Sequence, residues 1–116
     1  MDYRINRRTG DKISLLGLGS SSIHEAGEAD GIEMLRLAYA QGINYFDLAT
    51  AESVNFTTFG KALAGVRDKV LYQVHFGAVY GNGKGYSWTT DLDAVRRSVE
   101  WQLHALQTDY VDYGFI

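Results

Sequence analysis

The chain has 116 residues, 46% hydrophobic and 13% aromatic, enough for one domain (1–116) with a buried core and too apolar for a disordered segment. Eleven Lys and Arg against 14 Asp and Glu give a net charge of −3, which offers no electrostatic reason to expect nucleic acid or an anionic membrane as partner. There is no Cys to build a disulfide framework or a thiolate metal site. The polar start "MDYRINRRTGDK" is unlike a signal peptide, and no apolar run approaches a membrane span, so a cytoplasmic protein is expected.

"YRINRR", "TGD" and "KISLLGLG" read as strand, turn and strand, with Thr9-Gly10-Asp11 supporting a hairpin. "LLGLGS" (15–20) is a short apolar run opening into a loop, as a buried strand does. Residues 30–41 place Ile32, Leu35 and Tyr39 on one helical face, with Asp30 as N-cap and Gly42 just past the end. "INYFD" is the next strand. Phe56, Phe59, Gly60 and Leu63 then recur at helical spacing over 54–65, with Gly65 closing that helix. "KVLYQVHFG" (69–77) is a third buried strand and "AVYGNGKGYSW" (78–88) a glycine-rich loop. Thr90 with Asp93 resembles a capping box, and Val95, Val99, Leu103 and Leu106 mark a third amphipathic helix. "DYVDYGFI" (109–116) is a fourth strand.

After the hairpin the order is βαβαβαβ, an α/β chain with a parallel sheet. Two arrangements fit: an open doubly wound sheet, or the first half of a (β/α)8 TIM barrel. The aromatic-aliphatic run at the C-terminus favours the half-barrel, because a complete barrel takes about 250 residues.

Polar residues cluster where strands end. Asp47 closes the second parallel strand, a site position in a barrel, although a loop hydrogen bond would equally account for it. His75 closes the third strand, where an imidazole can serve as general acid or base. Glu52 stands within reach of a His75 pairing, or else is a solvated acid near a helix N-terminus. His24 and Glu25, with Asp47, Glu52 and His75, form an imaginable metal cluster, but no ligand spacing supports it and no metal is expected. "GNGKG" (81–85) lacks the spacing of a phosphate-binding P-loop. His104 reads as a surface or packing residue of the third helix.

The chain resembles the aldo-keto reductases. "KISLLGLGS" is similar to that family's first barrel strand after its bottom-closing hairpin. "ADGIEMLRLAYAQGINYFDLA", "FGKALAGVRDKVLYQVHFG" and "VRRSVEWQLHALQTDYVDYGFI" resemble the three helix–strand units that follow. The resemblance implies carbonyl reduction with NADPH or NADH by an aspartate, a tyrosine acid, a lysine and a histidine at the strand ends. Asp47 matches the aspartate. Glu52 stands at the tyrosine position and His75 at the lysine position, and Ile116 falls just before the place of the histidine. A carboxyl group at its ordinary pKa is ionised at neutral pH and cannot donate the proton that a tyrosine would. By the same resemblance the early dinucleotide contacts are Ser20, Ser21 and Asp47, with most others in later strands. NADP(H) is therefore implied for a full barrel, and none is expected on this chain alone.

The expected function is thus an N-terminal portion of an NAD(P)H-dependent oxidoreductase, inactive in isolation. The alternatives are a non-catalytic self-associating half-barrel and non-redox acid–base chemistry by Glu52 and His75. Open sheet edges and an uncovered inner face predict a homodimer or higher oligomer.

Overall fold

The computed structural model describes residues 1–80 and 86–116. β1 (Tyr3–Ile5) and β2 (Lys12–Ser14) form the N-terminal antiparallel hairpin. Gly10, at φ 85°, turns the chain, and the Asn6 amide donates to the Asp11 carbonyl at 2.8 Å. That bond commits Asn6 to the turn, so the first strand is shorter than "YRINRR" suggests.

β3 (Leu18–Gly19) leads through a short 3-10 turn into α1 (Glu28–Ala40). The N-cap of α1 is Gly27 rather than Asp30. Gly27 takes φ 80°, its carbonyl already accepts the Gly31 amide, and Asp30 lies one turn inside, where its charge meets the positive end of the helix. Gly42 ends α1 at φ 96°. Its amide reaches Tyr39 O at 2.9 Å and the Ile43 amide reaches Ala38 O at 3.0 Å, a Schellman motif.

β4 (Tyr45–Leu48) and α2 (Val54–Leu63) follow. Gly65 does not close α2; the chain runs on through a distorted 3-10 segment, Ala64–Lys69, before β5 (Leu71–His75). The segment read as a loop over 78–88 contains a second hairpin, β6 (Ala78–Tyr80) against β7 (Tyr86–Trp88). Its apolar ends are long enough to pair, which the glycines between them masked. Residues 81–85, and with them any phosphate reading of "GNGKG", lie outside the described residues.

α3 (Leu92–Leu106) is capped by Asp91, whose carboxylate accepts the Ala94 amide at 2.7 Å, and not by Thr90. Its buried face is Ser98, Gln102 and Leu106, while Val95, Val99 and Leu103 are only half-buried. Ser98 donates to Ala78 O at 2.6 Å and Gln102 to the Ser98 hydroxyl at 3.1 Å, so the hairpin draws polar side chains inward. β8 is three residues long, Tyr113–Phe115.

The parallel sheet runs β3-β4-β5-β8, in chain order and without reversal. α2 packs against α1 on one side and α3 on the other, which sets the three helices on one face. A doubly wound sheet would reverse its order and carry helices on both faces. The fold is therefore a four-stranded half of a (β/α)8 barrel. Phe46, Leu48, Tyr72 and Val74 on the helix side of the sheet meet Leu35, Phe56, Phe59, Leu63 and Leu106, all fully buried. The N-terminal hairpin sits under the sheet: Tyr113 donates to Asp11 Oδ2 at 2.5 Å and Asn6 Nδ2 to the Tyr113 hydroxyl at 3.1 Å. Hydrogen bonds from Thr9 and Tyr113 hold the Asp11 carboxyl below its ordinary pKa. Among the described residues no helix is long and apolar enough to cross a membrane.

Candidate active site

Alternation along the strands builds the site. In β4, Phe46 and Leu48 point under the helices, so Tyr45 and Asp47 must stand on the opposite face. In β5, Tyr72 and Val74 take the helix side, leaving Gln73 and His75 on the open one. The parallel register sets Asp47 beside Gln73, with His75 two residues farther along the same face. Tyr113 stands next to Gln73, and Phe115 next to His75.

Tyr45, Gln73, Asp47 and His75 form one hydrogen-bonded array. His75 Nε2 lies 3.0 Å from Asp47 Oδ1, and Gln73 Nε2 donates to the same oxygen at 3.1 Å. The Tyr45 hydroxyl donates to Gln73 Oε1 at 2.5 Å. Burial, then the charge of Asp47, then Tyr113 raise the Tyr45 phenol above its ordinary pKa. The His75 ring is flanked by Phe115 at 5.1 Å and Trp88 at 6.1 Å between centroids. His75 is well buried, with 15% of its side chain exposed, whereas Asp47 keeps 42%. The arrangement holds an imidazole against a carboxylate at the C-terminal end of parallel strands, where it can give or take a proton.

Glu52 does not pair with His75. It is half-buried in the β4–α2 loop, its amide donating to Thr50 Oγ1 at 3.1 Å and its carbonyl accepting the Asn55 amide at 3.1 Å. Among the described residues nothing hydrogen-bonds or pairs with its carboxylate, and the ion pair of His75 is with Asp47. Those backbone bonds tie Glu52 to the loop, while register brings Asp47 to His75. Ser20 is buried; its amide donates to Asp47 O at 3.1 Å, and its hydroxyl has no partner among the described residues. Ser21 is exposed. His24 and Glu25 are exposed in the loop after β3, His24 against Asn55. Among the described residues no three His, Asp or Glu side chains gather as a metal site.

Three residues of the site escaped the reading of the sequence. Tyr45 and Gln73 were within reach of it, because period-two alternation puts them on the faces of Asp47 and His75. Asn55 gave no signal. It is fully buried in the first turn of α2, donating to Ser20 O at 2.7 Å and Thr50 Oγ1 at 2.8 Å, and so ties the loop after β3 to the loop after β4.

A one-faced half-barrel with polar side chains at the C-terminal ends of its strands has the architecture of a (β/α)8 barrel and its rim. Residues 15–116 match the aldo/keto reductase family, and the chain belongs to that family. It is similar to an aldo-keto reductase from Bacillus halodurans in its holo form, with TM-score 0.83 and 29% identity over 98% of this chain and 39% of that one. An aldo/keto reductase from Klebsiella pneumoniae in complex with NADP and acetate matches at TM-score 0.63 and 25% identity, covering 90% of this chain and 35% of that one. Protein tas of Escherichia coli is 32% identical over 97% of this chain and 37% of its own length. The chain thus spans less than half the length of the relatives it matches.

Proposed function

We propose that this chain contributes the Asp47–His75 side of an NAD(P)H-dependent oxidoreductase site, and that alone it neither holds the dinucleotide nor reduces a carbonyl. The observation that carries the reading is the 3.0 Å contact between His75 and Asp47 on the open sheet face, at positions that match the family's aspartate and lysine. An imidazole backed by a carboxylate is a competent proton-transfer group near neutral pH, and Glu52 stands apart from it.

The donor set argues against an independent cofactor site. A dinucleotide carries a pyrophosphate, which calls for cationic side chains or converging amides. Ser20, Ser21 and Asp47 offer no cation, Asp47 carries a negative charge, and the Ser20 amide is already bound to Asp47 O. These three could border only a small part of such a ligand. No step through the cofactor follows from this chain's residues. Non-redox proton transfer is the second reading, favoured by the same Asp47–His75 contact and drawing on His75 without Glu52. β3 and β8 are the outer strands of the sheet, and pairing of these edges with a second copy belongs to the same proposal.

The test is a fluorescence titration of the chain with NADPH, with its mass followed by sedimentation and a reactive aldehyde then added. No saturable signal, no NADPH consumption and a species heavier than the monomer are expected. Saturable binding followed by turnover would overturn the claim of inactivity, and a stable monomer the claim of self-association.

A further inference from the structure

The array around Asp47 contains more order than a carboxylate and an imidazole need. Asp47 Oδ1 receives two nitrogens, His75 Nε2 at 3.0 Å and Gln73 Nε2 at 3.1 Å. An ionised carboxylate only accepts hydrogen bonds, so both nitrogens must carry the proton. For Gln73 this fixes the amide: its NH2 faces Asp47 and its oxygen faces Tyr45. That oxygen also only accepts, so the Tyr45 hydroxyl, 2.5 Å away, must donate. The reversed amide would set its oxygen against the Asp47 oxygen, two acceptors with no proton between them.

For His75 the consequence is a tautomer. With Nε2 protonated toward Asp47, the neutral ring keeps its lone pair on Nδ1, for which no partner occurs among the described residues. Phe115 and Trp88 flank the ring and limit its rotation. Asp47 is the titratable group that touches the imidazole; Tyr45 acts on it from one residue farther away through Gln73.

We infer that Tyr45 and Gln73 are positioning residues, which hold Asp47 so that His75 stays protonated at Nε2 and exchanges protons with a bound ligand through Nδ1. This rests on the reading of Asp47 and His75 as the working pair, and it concerns atoms that can be observed without cofactor or substrate. Tyr45 touches no reacting atom; its hydroxyl only orients the amide. Gln73 likewise acts through Asp47.

The test is nitrogen and proton NMR of the three histidines in the full chain, at a pH where the imidazoles are neutral. His75→Gln assigns the His75 signals. The expected result is a His75 ring protonated at Nε2, with that proton exchanging slowly with water. Gln73→Leu should speed this exchange by about tenfold, the equivalent of one hydrogen bond, and leave His24 and His104 unchanged. Tyr45→Phe should produce a smaller change in the same direction, because it frees the amide without removing it. Far-ultraviolet circular dichroism checks that each variant is folded; if Gln73→Leu is not, Tyr45→Phe, which removes one oxygen, decides alone. A His75 ring protonated at Nδ1, or exchange unaffected by the folded variants, would overturn the inference. Failure of NADPH binding or turnover would bear only on the proposed function.

Discussion

Gly60 tests the packing that gives the half-barrel its shape. It sits in the second half of α2, where that helix passes against the C-terminal end of α3. A Cβ added there would lie 2.3 Å from the backbone oxygen of Ala105, 3.0 Å from Leu106 C and 3.1 Å from Leu106 Cα. Ordinary contact begins at 3.4 Å, so the two helices would have to part by 3.4 − 2.3 = 1.1 Å. Two effects oppose each other in Gly60→Ala. Alanine in a helix interior gains about 1 kcal/mol over glycine. Overpacking a tight site costs about 1–3 kcal/mol, and here the obstacle is backbone, which cannot rotate away. With a rigid backbone as the obstacle the upper half of that cost applies, about 2–3 kcal/mol, so the expected net result is a loss of about 1–2 kcal/mol, read as a lower urea midpoint with an unchanged slope. Gly31→Ala in α1 is the control. Its Cβ would meet Ile23 Cγ2 and Thr58 Cγ2 at 3.2 Å, side-chain atoms that can yield by a few tenths of an ångström. There the helix-propensity gain and the cost of shifting those side chains nearly offset, so that variant should stay within about 0.5 kcal/mol of the parent. A Gly60→Ala protein as stable as the parent, or a larger loss at Gly31, would refute the claim that α2 and α3 meet backbone to backbone.

Two more predictions concern the N-terminal end of the sheet. Arg67 is buried, its guanidinium donating to Val70 O, Tyr110 O and Thr108 Oγ1 and pairing with Asp112 at 2.8 Å, between the rings of Tyr72 and Tyr110. Arg67→Met leaves a mostly buried carboxylate without its cation and should cost about 3–5 kcal/mol in urea unfolding; a loss below about 1 kcal/mol would remove Arg67 as the clamp of this end. Burial pushes the Tyr72 phenol well above its ordinary value, and its hydroxyl has no partner among the described residues. The unfolded chain therefore ionises first, so this contribution to stability is complete below about pH 10 and falls as pH rises beyond it. Tyr72→Phe should flatten the alkaline part of the stability curve relative to the parent, and equal slopes for the two proteins would contradict the assignment.

The site was partly legible. Asp47 and His75 could be placed at strand ends because each closes an apolar run, and the alternation that hides Phe46 and Val74 turns them to the other face. Their partnership could not be read, because the 26 residues from Asp47 to Gln73 are brought level only by the β4–β5 register. Glu52, five residues from Asp47, is by position alone either a partner for His75 or a solvated acid, and the Thr50 and Asn55 hydrogen bonds fix it in the loop away from His75. The helix starts were displaced for a similar reason. Asp30 and Thr90 are sound caps by residue type, but the chain turns at Gly27 and Asp91, where backbone geometry and an available amide decide.

Local chemistry alone determined the order of the parallel strands and the three helices, the hairpin at Gly10, the end of α1 at Gly42 and the apolar face of α2, because each depends on neighbours within a turn or two. Tertiary structure decided the rest: which residues of α3 face inward, that Ala78–Tyr80 finds a partner strand, and that Tyr45, Gln73, Asp47 and His75 share one chain of hydrogen bonds. Those outcomes depend on strand register and on the close approach of α2 to α3, and both arise from contacts between residues far apart in the chain.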